Sequence, residues 1–113
     1  MDDEFHQLRQ LFALGLADRQ RRIKAALEDF DQALSSGQEQ EMPMHELYKE
    51  IHNLAGAAGG YQFEQLSHQS RSLEQQLRQL QKQDFTSARH EWQQFSKEVE
   101  ALLLLIQQER QTL

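Results

Sequence analysis

Apolar residues recur at helical steps, mostly of three or four residues, along the first third of the chain. The pattern predicts a helix over residues 4–34, with Arg and Asp side chains on its other side. Gly15 lies inside this pattern and can kink the helix or divide it in two. Ser35-Ser36-Gly37 ends the helix, and residues 38–41 are predicted to form a polar loop. The apolar positions are Phe5, Leu8, Phe12, Leu16, Ile23, Leu27, Phe30 and Leu34.

Two shorter helical patterns occupy the middle of the chain. The first begins around Pro43, which fits a first turn because its missing N–H would have no partner there. It stops near Gly59-Gly60, and the next pattern covers residues 64–82. The core-facing residues are Leu47, Ile51, Leu54 and Ala58 in the earlier helix, and Leu66, Leu73, Leu77 and Leu80 in the later one.

The last helical pattern is the most regular, because its apolar residues alternate steps of three and four. Asp84 or Thr86 is the predicted N-cap of this helix. A seam of this kind suits near-antiparallel packing, and the short connections between the later helices favour up-and-down neighbours. The seam residues are Phe85, Ala88, Trp92, Phe95, Val99, Leu102 and Ile106.

The fold class follows from these patterns and from the turn residues. The chain of 113 residues has one proline and five glycines, which is too few for the turns of a β protein of this size. We predict an all-α fold, an up-and-down four-helix bundle that forms a single domain over residues 1–113. Its long N-terminal helix is kinked or broken near Gly15.

Composition narrows the function classes. The 12 basic and 18 acidic residues give a formal charge of −6, which disfavours nucleic-acid binding. The absence of cysteine excludes disulfides, thiolate zinc sites and cysteine nucleophiles. The longest apolar run, residues 101–106, is far shorter than a membrane helix, and the first residues lack the pattern of a signal peptide. We therefore expect a cytoplasmic protein with neither nucleic acid nor membrane as a partner.

One histidine stands out in the helix that follows Pro43. Steps of about 100° per residue place His52 roughly 130° from the centre of the apolar stripe, so its side chain points to solvent. Lys49, Gly56 and Gly59 share its side of the helix, and Gly56 lies one turn after it. A glycine inside a helix costs about 1 kcal/mol relative to alanine. Its place beside an exposed histidine indicates that something approaches the imidazole closely.

An exposed neutral imidazole is a competent nucleophile. Phosphoryl transfer needs mainly an in-line nucleophile and charge stabilisation at the transferring oxygens. The sequence supplies the nucleophile, but it has no phosphate-binding glycine loop, kinase signature or obvious carboxylate cluster for magnesium. Any metal ion would have to come from a partner protein.

The run His52-Asn53-Leu54-Ala55-Gly56, together with Tyr61-Gln62-Phe63, resembles the active-site helix of histidine-containing phosphotransfer domains. The resemblance implies a four-helix bundle that accepts a phosphoryl group from a receiver-domain aspartate and passes it to another receiver domain. It also implies that His52 is phosphorylated and that Gly56 gives the receiver access. The chain would have no cofactor of its own, with Mg²⁺ expected on the partner receiver.

Two positions depart from the family pattern. Ala55 stands where the family often has a lysine that helps to stabilise phosphate, and Gln62 stands where it usually has glycine. Lys49 or Arg71 could supply the missing charge. These two residues, with Ala55 and Gly59, are the candidate contacts to phosphate or receiver.

Two other function classes stay open at this point. The chain could be a helical adaptor, or a degenerate phosphotransfer module, that binds a partner without phosphorylation. A metal-dependent hydrolase is the third possibility, but His45 and His52 lie two turns apart, too far for joint ligation, so no metal site is predicted. We expect a phosphoryl-group carrier rather than an independent enzyme.

The apolar residues Leu103, Leu104 and Leu105 exceed what the seam of the last helix needs. They could pack on the N-terminal helix or mark a contact with a second protein molecule. The first interpretation is favoured, and we expect a monomer.

Overall fold

The computed structural model describes residues 2–37, 41–83 and 88–112. Within these ranges the chain forms five α-helices and no β-strand, which confirms the all-α prediction. No helix in the described ranges is long and apolar enough to cross a membrane. The helices are α1 (Asp2–Leu14), α2 (Leu16–Ser36), α3 (Glu41–Gly60), α4 (Glu64–Leu80) and α5 (Arg89–Gln111).

Helices α2 to α5 form the bundle. Helix α2 packs against α3 and α5, and α4 packs against the same two helices, so the four helices close a ring around one core. Contacts between side chains show that neighbours run antiparallel. Gln20 and Asp31 of α2 meet Gln107 and Ser96 of α5, so the residue numbers rise on one helix as they fall on the other.

The core is built from the predicted stripes. Its largest fully buried side chains include Trp92, Phe30 and Phe95, and the ring centroids of Phe30 and Trp92 lie 5.1 Å apart. Aromatic pairs at this separation add to the stabilisation from apolar burial. Fully buried aliphatic residues surround them: Leu16, Ile23, Leu47, Ile51, Leu54, Leu66, Leu73, Leu77 and Leu102.

Gly15 divides the predicted N-terminal helix in two, which was one of the two outcomes expected there. Beyond this break, α1 covers the turn between α3 and α4. The ring of Phe12 stacks on Tyr61 at 5.3 Å, and Arg9 Nε donates a hydrogen bond to the carbonyl of Tyr61 at 3.0 Å.

Two residues of the predicted apolar pattern of the N-terminal helix lie at the surface. Phe5 is 38% exposed and Leu8 is 43% exposed. The buried residues of α1 are Phe12 and Ala13, which lie next to the break at Gly15. The spacing of apolar residues is the same before and after Gly15. The bundle core against which they could be buried does not extend along the first part of α1.

The predicted element boundaries need three corrections. Glu41, expected in a loop, is the first residue of α3, and α4 ends at Leu80 rather than at residue 82. Helix α5 begins at Arg89, after Ala88 at the N-cap position. The predicted caps Asp84 and Thr86, the seam residue Phe85 and loop residues 38–40 lie outside the described residues.

The leucine run of α5 is partly buried on the bundle, and Leu103 lies beside α2, which is the second part of the predicted N-terminal helix. Leu103 and Leu105 are partly buried against the core, and Gln20 of α2 donates a hydrogen bond to the carbonyl of Leu103 at 3.4 Å. Leu104 is exposed. The run therefore contributes two of its three side chains to packing within the chain.

The turn after α3 explains one departure from the family pattern. The N–H of Phe63 bonds to the carbonyl of Ala58 at 2.8 Å, and the N–H of Gln62 bonds to the carbonyl of Gly59 at 3.3 Å. These two bonds define a Schellman motif, whose left-handed position usually holds glycine. Gln62 occupies that position with a φ of 64°. The turn keeps the Schellman geometry, with a glutamine at the position that favours glycine.

We predict that Gln62→Gly stabilises the protein by about 0.5–1 kcal/mol. A left-handed conformation costs a residue with a Cβ about 1–2 kcal/mol, and part of the gain is lost to the greater freedom of glycine in the unfolded chain. Urea unfolding followed by circular dichroism measures the difference. Gln62→Ala keeps the Cβ and is the control, so equal stabilities of the two variants would contradict the explanation.

Candidate functional site

His52 lies at the middle of α3, on the opposite side from the buried stripe of that helix. Ile51 and Leu54, its neighbours in sequence, are fully buried, whereas the His52 side chain is 56% exposed. The outward direction predicted from helix geometry is therefore confirmed. The imidazole stands on the surface, with its backbone held rigidly by the core contacts of the adjacent residues.

A carboxylate from the next helix holds one nitrogen of this ring. His52 Nδ1 lies 3.1 Å from Glu74 Oε2, and the Glu74 side chain is only 14% exposed. A carboxylate accepts hydrogen bonds and does not donate them, so the tautomer with hydrogen on Nδ1 is the one that suits this contact. In the neutral ring the lone pair is then on Nε2, the nitrogen a nucleophile would use.

Two further side chains complete a closed network around the histidine. Tyr48, one turn before His52, stacks on the imidazole with the ring planes 10° apart and the centroids 5.7 Å apart. Arg78 donates to the Tyr48 hydroxyl from Nε at 3.1 Å and from an Nη at 2.8 Å. The same Nη donates to Glu74 Oε1 at 3.0 Å. We call Tyr48, His52, Glu74 and Arg78 the His52 network.

The contacts of Arg78 in this network favour its positively charged form. Its hydrogen bonds to the Tyr48 hydroxyl, with the nearby Glu74 carboxylate as a smaller contribution, raise the pKa of the Arg78 guanidinium above its ordinary value. The guanidinium is therefore a permanent cation beside the histidine.

Sequence reasoning found only one of the four members of the His52 network. Tyr48 precedes His52 by four residues, and Glu74 precedes Arg78 by four, so each pair shares a helix face. That spacing is readable from the sequence. The register that brings the two faces together is set by helix packing, and no single-helix pattern reveals it.

Gly56 and Gly59 have different surroundings. A Cβ added at Gly56 would meet no other atom within 4 Å, so the side chain missing there leaves open space above α3. A Cβ added at Gly59 would lie 3.0 Å from an Arg71 Nη and 3.2 Å from Ser67 Oγ. Gly59 therefore makes room for a side chain of the same protein, whereas Gly56 leaves room for a partner.

The other candidate contacts are also partnered or buried. Lys49 Nζ lies 3.1 Å from Glu46 Oε2, and both side chains are about half exposed. Arg71 Nε donates to Ser67 Oγ at 3.1 Å. Both cations lie at the surface of the α3 and α4 helices.

Ala55 differs from the expectation that it contacts phosphate or receiver. It is only 3% exposed, and its carbonyl accepts a hydrogen bond from the buried Ser67 hydroxyl at 3.4 Å. The position three residues after His52 points into the groove between α3 and α4. The methyl group is packed there, so it presents no surface to an incoming phosphate.

The described part of the chain contains no group of three His, Asp or Glu residues that could hold a metal ion.

A family model described as the Hpt domain matches residues 7–111, from within α1 to the end of α5. This chain belongs to the Hpt domain family. Hpt domains serve histidine phosphotransfer in two-component systems and interact with receiver domains. The match agrees with the helical bundle and with the exposed histidine of α3. Comparisons with curated proteins and with solved structures gave no significant match.

We predict that Gly56→Ala raises the free energy of unfolding of this Hpt domain by about 0.5–1 kcal/mol. Alanine favours the interior of a helix over glycine by this amount, and the added methyl group meets open space. Chemical denaturation measures the change. Gly59→Ala is the matched control, and its gain should be smaller because its Cβ crowds Arg71. Destabilisation by Gly56→Ala would show that the glycine is needed for folding.

Proposed function

We propose that His52 carries a phosphoryl group between receiver domains. The observation that supports this most directly is the approach of the Glu74 carboxylate to 3.1 Å from Nδ1 of an exposed imidazole, which favours the tautomer whose lone pair is on Nε2. Membership in the Hpt domain family supplies the class of reaction. The chain acts as a cytoplasmic, monomeric carrier in this proposal and turns over no small molecule.

The transfer step begins with the Nε2 lone pair, which attacks the phosphorus of a receiver's aspartyl phosphate. The new P–N bond forms as the P–O bond to the aspartate breaks, and the receiver carboxylate leaves with the electron pair. Nδ1 keeps its hydrogen, so the phosphorylated ring gains positive charge that the Glu74 carboxylate stabilises. Transfer to a second receiver is the reverse of this step. The Mg²⁺ ion is expected on the receiver, where it neutralises charge on the phosphoryl oxygens.

Docking of the receiver uses the exposed surface next to His52. The open space above Gly56 lets the receiver approach the helix backbone one turn from the nucleophile. Lys49 and Arg71 are the proposed contacts to phosphate or to receiver carboxylates, in place of the lysine absent at Ala55. The Lys49–Glu46 pair is half exposed, and exposed ion pairs are weak, so Lys49 can exchange this partner for an anion.

We predict that His52→Gln abolishes phosphoryl uptake. The measurement is transfer of labelled phosphate from phosphorylated receiver domains to purified protein, with acid-labile and base-stable label as the expected product. His45→Gln is the matched control, because His45 is an exposed histidine of the same helix and lies outside the His52 network. Label on the His52→Gln variant would contradict the assignment. Receiver binding with no label on the wild-type protein would favour the adaptor alternative.

We also predict that Gly56→Leu lowers the transfer rate at least tenfold, mainly through weaker receiver binding. The side chain fills the space through which the receiver approaches, while the helical backbone accepts it. Dependence of the transfer rate on receiver concentration separates binding from the chemical step. Gln93→Leu places the same apolar side chain on an exposed position of α5, the helix diagonal to α3, and should leave transfer unchanged. Equal effects of the two substitutions would contradict a docking role for Gly56.

A further inference from the structure

The reactivity of an imidazole nitrogen depends on the orientation of its ring. The lone pair lies in the plane of the ring, so the phosphorus of a donor has to approach along the ring edge. Exposed side chains exchange among staggered rotamers within nanoseconds. The His52 side chain is 56% exposed, and Glu74 Oε2, 3.1 Å from Nδ1, approaches only one edge of the ring. This single distance does not define the plane of the ring.

Tyr48 lies against one face of the imidazole. Side chains of a helix lean toward its N-terminus, so the His52 side chain lies over the preceding turn, where Tyr48 stands four residues earlier. The two ring planes are 10° apart and the centroids are 5.7 Å apart, which is an offset stack. Tyr48 is itself partly buried against the core. The stack therefore aligns the imidazole plane with a ring that is packed on the bundle.

The phenol of Tyr48 is held from the neighbouring helix. Arg78 donates to its hydroxyl oxygen from Nε at 3.1 Å and from an Nη at 2.8 Å. Two donors of one planar guanidinium on the same oxygen limit the movement of the phenol. The same Nη donates to Glu74 Oε1 at 3.0 Å, and the Glu74 side chain is only 14% exposed. A series of contacts thus leads from a covered carboxylate of α4 to the phenol of α3 and then to the imidazole.

We propose that Tyr48 is a positioning residue that holds the His52 ring in one orientation, with Arg78 holding Tyr48 through its hydroxyl. Tyr48 acts through the imidazole, whose edge stays directed toward an incoming phosphorus. Because Arg78 and Tyr48 belong to different helices, the orientation depends on the packing of α4 against α3. The use of this orientation in transfer rests on the proposed function, whereas the orientation itself is a property of the free protein.

The first test measures the χ1 rotamer populations of His52 by NMR, from three-bond couplings in the free protein. The wild-type protein should populate one rotamer predominantly. Tyr48→Leu keeps an apolar contact with the core but removes the flat ring, so other His52 rotamers should become populated. Tyr48→Phe keeps the ring and loses the anchored hydroxyl, so its populations should lie between those of the other two proteins.

The control for this test is Tyr61→Leu, which removes a phenol that stacks on Phe12 instead of on His52. It should keep the wild-type rotamer populations. Unchanged His52 populations in Tyr48→Leu would overturn the proposal. Circular dichroism shows whether each variant is folded, and Tyr48→Phe, which retains the packed ring, keeps the test available if Tyr48→Leu does not fold.

The double variant Tyr48→Phe/Arg78→Gln tests whether Arg78 acts through the phenol. Without the hydroxyl, the two hydrogen bonds from Arg78 are already lost, so adding Arg78→Gln should change the His52 populations much less than it does in the wild-type background. Arg89→Gln removes the same charge from an exposed position of α5 and is the control. Equal changes in both backgrounds would overturn the part assigned to Arg78.

Transfer kinetics measure what the orientation contributes to the reaction. Phosphoryl uptake followed against receiver concentration gives a maximal rate and a half-saturating concentration. Three χ1 wells and two orientations about χ2 allow about six orientations of a free ring, so Tyr48→Leu should lower the maximal rate roughly three- to sixfold. The half-saturating concentration should stay at its wild-type value. An unchanged maximal rate with a higher half-saturating concentration would make Tyr48 a docking contact and overturn the positioning role.

The two kinds of measurement also separate this positioning role from the proposed function. A wild-type protein that takes up no phosphate would overturn the proposed function alone, because the rotamers are measured without any receiver. Redistributed rotamers in Tyr48→Leu with wild-type transfer kinetics would overturn the role of the orientation in transfer.

Discussion

The antiparallel register of α3 against α4 is the constraint on which the site depends. This register brings His52 opposite Glu74, Tyr48 opposite Arg78, and the Ala55 carbonyl opposite Ser67. A slip of one residue along α4 would rotate Glu74 by about 100° and remove its contact with the imidazole. The register is fixed by the buried leucines of both helices, so apolar packing determines where the polar groups meet.

Helix α3 combines two opposite requirements on its two sides. The side chains on its inner side are apolar and buried, and this burial fixes the helix in the bundle. Its outer side has a nucleophile followed by open space at Gly56, which weakens the helix locally. Burial of the apolar stripe stabilises α3 and offsets the loss of helix stability at Gly56. The reactive side chain therefore lies on a rigid backbone.

The sequence predicted the helices, the direction of His52 and the break at Gly15 because these depend on local periodicity and on single residues. The apolar pattern did not show that Phe5 would be exposed, since burial in α1 depends on where this helix lies relative to the bundle. It also missed Glu74 and Arg78, whose role depends on contact between two helices. Ala55 was misplaced for the same reason, because its burial follows from the close approach of α4.

The location of the His52 network in the chain has a consequence for how the protein folds. Its contacts join residues 22 and 30 positions apart, within the single hairpin of α3 and α4. The contacts that close α2 against α5 join residues 65 to 90 positions apart. Short loops cost less entropy to close, so the hairpin can order ahead of the complete ring. The His52 network thus lies within two helices that are adjacent in sequence, α3 and α4. Contacts between α2 and α5, which are far apart in sequence, add further stability.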